Sequence, residues 1–283
     1  ALLDALPIPL VRLPTTALHD PWWLVLIAHE MGHHLEFAFE LNTWLRQTVR
    51  TAIAAVAGPD ETDQWVSWSS ELFADAVAIH LAGTTIVTAL SELLLGPRRD
   101  MLRPVRGYPM GLLRVRVLER MAGDLGLTLT PLDAGHIATL EPYEHFFGDD
   151  RLEAISGIMR GTLADLGVTL AQLTGFDPDR QSAAVAAARG AIALGEAAPD
   201  SDLQRARILC CAGFAAWLDR RSDRDAVTAL ASHLVDVVQH SGPPGERAQG
   251  DSAVDDSALA DALVRAVAED DLGDSRPGSE ESR

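Results

Sequence analysis

Lysine is absent from this chain: all 23 of its basic residues are arginines, set against 41 Asp and Glu. The formal net charge of −18 argues against a nucleic-acid or anionic-membrane partner, since both attract proteins through surplus positive charge. Cysteine is almost as scarce. Cys210 and Cys211 are adjacent on an expected helix and poorly placed to bridge each other, which excludes a disulfide scaffold. A reducing compartment, and hence the cytoplasm, is the expectation that follows. No apolar run approaches the ~20 residues that a membrane helix needs, so no membrane span is expected. A signal peptide is also missing, but the chain starts at Ala1 rather than Met, and that absence carries little weight. The all-arginine, alanine-rich usage reads as the codon bias of a GC-rich bacterial genome. Nothing in the composition indicates an oligomeric state.

What is present is more specific. Asp20-Pro21 reads as a helix start, with Asp at the N-cap and Pro at the first helical position. An unbroken helix is expected over 21–50, and it contains the string His29-Glu30-Met31-Gly32-His33. Residues four apart lie on one helical face, so His29 and His33 can reach a single metal ion while Glu30 projects beside the water it would hold. This is the HExxH zinc pattern: two neutral imidazoles as ligands and a carboxylate as general base. By itself it leaves open two histidines that merely bracket a glutamate on an amphipathic helix.

A catalytic zinc takes three protein ligands and keeps one position open. On a second expected helix, over 63–82, Glu71 can supply the third ligand. Asp75, one turn later, can accept the other ring N–H of a ligating histidine and fix its tautomer. Two carboxylates among Leu, Phe, Val and Ile are costly to bury unless paired or metal-bound; the alternative is a solvated acidic stripe. A metzincin would place glycine at 36 and histidine at 39, where this chain has Glu36 and Phe39. Glu36 lies about 10 Å further along a straight helix than His29 and cannot share its metal, and Glu40 is further still. His34 reads as a surface or cleft-rim histidine.

His29-Glu30-x-x-His33 followed by Glu71-Leu72-Phe73-Ala74-Asp75 resembles the gluzincin metallopeptidases, and within them the branch of HtpX-type and CAAX-prenyl-type proteases. That branch carries a later His-Pro-x-x-x-x-Arg element. Here Tyr108-Pro109-Met110-Gly111-Leu112-Leu113-Arg114 keeps the Pro and Arg in register, with Tyr in place of the histidine. The resemblance covers roughly residues 8–120. It implies a zincin-like domain, a bound Zn²⁺, a peptide or protein substrate, an oxyanion-stabilising role for Tyr108 and a site-organising role for Arg114. A phenol can donate a hydrogen bond to an oxyanion, so the exchange is chemically tolerable. A short strand over 8–13 would then be where an extended substrate pairs, or it is a plain lead-in.

The expected fold class is mainly α: a zincin-like metallopeptidase domain over 1–125 with that short N-terminal strand, followed by an α-helical extension over 126–240. Within the first part, helices are expected at 21–50, 63–82, 85–95 and 109–123. In the extension they are expected near 150–166, 179–195, 202–219 and 222–240. Residues 98–120 hold seven of the 23 arginines, read as a solvated helix face. His136, His145, His233 and His240 are scattered and read as ordinary histidines. Residues 241–283 form an acidic tail, disordered apart from a weak helix at 254–271. The expected activity is zinc-dependent peptide hydrolysis through His29, His33, Glu71 and Glu30. Two rivals remain: a metal-bearing, non-proteolytic sensor with a pseudo-active site, and a helical interaction protein that binds no metal.

Overall fold

The computed structural model describes residues 20–94, 107–129, 143–194 and 205–240. All of them belong to one compact unit, Val11–Ser241. The strand expected over 8–13 and the acidic tail 241–283 lie outside the described residues, as do Arg98, Arg99, Arg103 and Arg106. Among the described residues the class is mainly α, as expected, and no strand forms; Thr162 and Thr169 pair in an isolated antiparallel bridge. No described helix is long and apolar enough to cross a membrane.

The single helix expected over 21–50 is three pieces. Asp20 stands at the cap position but its side chain makes no capping bond, and Pro21–Leu26 winds as a 3-10 segment before α1, Ile27–Ala38. The chain then reverses and starts α2, Asn42–Ala54. The reversal is closed by the Leu41 N–H donating to the Glu36 carbonyl, with Glu40 in the left-handed region at φ 53°. That is a Schellman-type ending with a glutamate where glycine is usual.

The helix expected over 63–82 is also divided, into α3, Pro59–Ser67, and α4, Ser69–Ala82. Two serines account for the break. Ser67 Oγ donates to the Gln64 carbonyl and Ser69 Oγ to the Val66 carbonyl, competing with the helical ladder at the junction. The same turn seats Trp65 and Trp68 edge to face in the core, with centroids 5.6 Å apart. Helix α4 ends at Gly83, whose φ of 59° suits a residue without a side chain.

Helix α4 is the central element. Twelve of its 14 residues are buried, which is how a helix apolar on all sides behaves. Among the described elements, helix α1 packs on it more extensively than any other pair packs. Helices α5, Thr84–Leu94, and α6, Gly111–Asp124, cover a further side. The main core runs on past residue 125, taking in Ile155 and Met159 of α7, Asp149–Arg160, and Leu170 of the short α8, Leu170–Thr174. Helices α9, Pro178–Ala193, α10, Arg205–Arg220, and α11, Arg224–His240, share a smaller cluster around Ile192, Ile208 and Leu234. The 3-10 segment docks on α10, with Trp22 stacked on Trp217 at 5.7 Å and Trp23 edge-on to Phe214 at 5.5 Å.

Candidate metal centre

Helix α1 carries His29 and His33 one turn apart, with ring centroids 4.8 Å apart and planes at 88°. Helix α4 brings Glu71 to them from its first turn. The close approach of the two helices depends on Gly32, between the histidines. A Cβ there would run into the Ala74 Cα and lie 2.9 Å from the Ala74 carbonyl oxygen.

One ligand atom each from His29, His33 and Glu71 lies within 4.8 Å of the others, a cluster that can hold a metal ion. The Glu71 carboxylate stands 3.5 Å from His29 Nε2 and 3.4 Å from His33 Nε2. Two ligands at about 2.1 Å from one tetrahedral ion sit about 3.4 Å apart. Both separations are near that length, though they run to different oxygens of the carboxylate, and both exceed the about 2.9 Å at which hydrogen bonds centre. Two imidazole nitrogens and one carboxylate are also a donor set that zinc accepts while keeping a fourth position open.

Behind the cluster, His29 Nδ1 lies 2.9 Å from Asp75 Oδ1, where a carboxylate can fix the tautomer of a histidine. Asp75 is fully buried and takes a two-pronged contact from Arg114: Nε donates to Oδ2 at 2.8 Å and Nη2 to Oδ1 at 2.7 Å. Arg114 Nη1 also lies 3.4 Å from Glu71. Burial opposes a charged His29, but the hydrogen bond to Asp75 and the nearby Glu71 carboxylate outweigh it and hold the imidazole up at about 9. Burial likewise pushes the Glu71 carboxyl up, and is outweighed by His29, His33 and the Arg114 charge, which hold it down at about 2. Asp75 also sits below the usual carboxylate range: burial is overcome by the guanidinium beside it.

Glu30 and Tyr108 line the same cleft as the three cluster residues and Arg114, a space of about 290 Å³ walled by Leu26, Leu90 and Leu93. Tyr108 is 55% exposed at its edge. All seven residues singled out in the sequence thus meet in one place. The reading of 98–120 as a solvated arginine face is corrected at Arg114, which is buried against Asp75; Arg116 and Arg120 do pair with the nearby Glu119 and Asp124. His34, half-buried, stands outside the cluster. His80 is buried in α4 with its Nδ1 2.7 Å from the Ala76 carbonyl, and burial pushes the imidazole's pKa down.

Three further residues at the site carry no motif. Glu36 does not join the cluster, as its distance along α1 requires, yet it is buried and hydrogen-bonded to Ser70 and to Asn42. Ser70 in turn lies 3.3 Å from His33 Nδ1. The available signal was spacing: Glu36 follows His33 by three residues, and Ser70 directly precedes Glu71. Comparison of the chain with protein families, with curated proteins and with solved structures finds no match.

Proposed function

We propose that this chain is a zinc metallopeptidase of the gluzincin kind, nearest the HtpX and CAAX-prenyl type, acting on a peptide or protein substrate. In this reading residues up to about 125 are a zincin-like catalytic domain, the helices to 240 an extension, and the protein works in the cytoplasm. One observation carries it. His29, His33 and Glu71 offer one ligand atom each within 4.8 Å of the others, each histidine turns Nε2 toward the glutamate, and the motif glutamate lies in the same cleft.

When bound, zinc supplies Lewis acidity, lowering the pKa of a coordinated water toward ~7 and polarising a carbonyl. The remaining work falls to side chains. Glu30 accepts a proton from the attacking water and returns it to the leaving amine. The Tyr108 phenol donates to the oxyanion that forms at the scissile carbonyl. Asp75 holds His29 with Nδ1 protonated so that Nε2 keeps its lone pair. Arg114 offsets part of the negative charge of Asp75 and Glu71 and, through its two bonds to Asp75, fixes that carboxylate's orientation. Leu26 and Leu90 add apolar surface to the cleft.

The test is cleavage of a mixed peptide library by zinc-loaded protein, compared with Glu30→Gln. The expected result is cleavage by the wild type and none by a variant that keeps its metal. Equal cleavage by both would remove Glu30 from the mechanism. Tyr108, where the motif of the HtpX and CAAX-prenyl proteases has histidine, favours a second reading, a metal-bearing protein that does not hydrolyse. Metal-loaded wild type that cleaves nothing would select it.

A further inference from the structure

We propose that Ser70 and Glu36 form a hydrogen-bonded relay that positions His33, doing for the second histidine what Asp75 does for the first. The inference rests on the metal-centre reading of His29, His33 and Glu71. Glu36 is 5% exposed. Its two carboxylate oxygens each receive a donor: Asn42 Nδ2 donates to Oε1 at 2.8 Å, and Ser70 Oγ donates to Oε2.

The direction of the relay follows by elimination. A serine hydroxyl has one proton, and here it is committed to Glu36. What remains on Ser70 Oγ is acceptor capacity, and the atom 3.3 Å away is His33 Nδ1. That nitrogen must therefore carry the proton, which leaves the lone pair on Nε2, facing Glu71 at 3.4 Å. Both histidines then share one arrangement, with Nε2 toward the cluster and Nδ1–H toward an acceptor behind it. For His29 the acceptor is a carboxylate in direct contact. For His33 a hydroxyl stands between the ring and the carboxylate.

The relay also accounts for the place where α1 stops. Asn42 is the first residue of α2, and it reaches Glu36 only because the chain reverses at 39–41. A helix running straight on would carry residue 42 about 9 Å beyond Glu36 along the axis. The reversal thus completes the shell of the metal site.

Ser70→Ala and Ser70→Thr test this, the threonine restoring the hydroxyl. Zinc affinity is read by chelator competition, and the His33 ring by the Nδ1–H proton resonance in zinc-loaded protein. Ser70→Ala is expected to bind zinc about 10–100-fold more weakly and to exchange the His33 Nδ1–H with solvent faster. Ser70→Thr is expected to restore both. Glu36→Gln is expected to weaken zinc binding in the same direction, since the carboxylate that fixes the serine proton is gone. Wild type and Ser70→Ala with equal zinc affinity and equal Nδ1–H exchange would overturn the relay while leaving the metal site standing. A wild-type chain that binds no zinc would overturn the metal reading and the relay with it.

Discussion

Gly32 of α1 lies directly against Ala74 of α4, with no room between them for a single additional methyl group. The contact sits between the two histidines on one helix and between Glu71 and Asp75 on the other, so it sets the distance across which the cluster is built. Gly32→Ala must push the helices apart or distort α4. Overpacking of this kind costs about 1–3 kcal/mol. The expected outcome is a lower melting temperature together with weaker zinc binding. A Gly32→Ala protein with wild-type stability and wild-type zinc affinity would show that the two helices can give way without disturbing the site.

Asp75 holds His29 and is itself held by Arg114, wholly out of solvent. Asp75→Asn removes the charge that Arg114 faces and offers His29 a weaker acceptor. Removing one partner of a buried pair costs about 3–5 kcal/mol, and the isosteric Asn should fall toward the lower end. Zinc should still bind, about 10–100-fold more weakly, whereas Glu71→Gln should lose far more affinity. A chelator titration in which Asp75→Asn and wild type release zinc together would remove Asp75 from the site's support.

The pH dependence of the chelator-stripped protein follows from two groups. His29 is raised from 6.5 to about 9, so its contribution to stability is complete below pH 6.5 and disappears as pH rises through 9. Glu71 is lowered from 4.5 to about 2, so its contribution is present above pH 4.5 and disappears as pH falls through 2. Both act between pH 4.5 and 6.5. Stripped protein should therefore lose stability between pH 6.5 and 9, while zinc-loaded protein, whose histidine is held neutral by the metal, should not. Denaturant titrations with the same alkaline slope in both forms would contradict this.

Glu40 supplies a test of the reversal after α1. It is exposed and sits at φ 53°, a region that disfavours residues with a Cβ. Glu40→Gly relieves that strain at some cost in unfolded-state entropy, and a net gain of up to about 1 kcal/mol is expected from urea unfolding. A clear loss of stability would mean that the Glu40 side chain supports the turn.

Each cluster residue was legible because its chemistry repeats at helical spacing inside one element: His29 with His33, Glu71 with Asp75. Their convergence was legible only through the need for a third ligand. The helix breaks were hidden. Ser67 and Ser69 end one helix and start the next through local bonds to carbonyls, and residues 39–41 contain neither glycine nor proline. Ser70 and Glu36 were hidden for a different reason: their bond joins residues 34 apart on facing helices, which no single-helix periodicity reports. Arg114 was legible only through its register with Tyr108 and Pro109; that its partner is Asp75, 39 residues away on a facing helix, no local spacing reports.

The most direct test of the account is zinc content. Protein expressed with ample zinc and purified without chelator should carry about one zinc per chain, as a site with three ligands and an open position requires. His29→Ala, His33→Ala and Glu71→Ala should each lose it, while Glu30→Gln should keep it. A wild-type protein that is helical, folded and free of zinc would contradict the account at its centre.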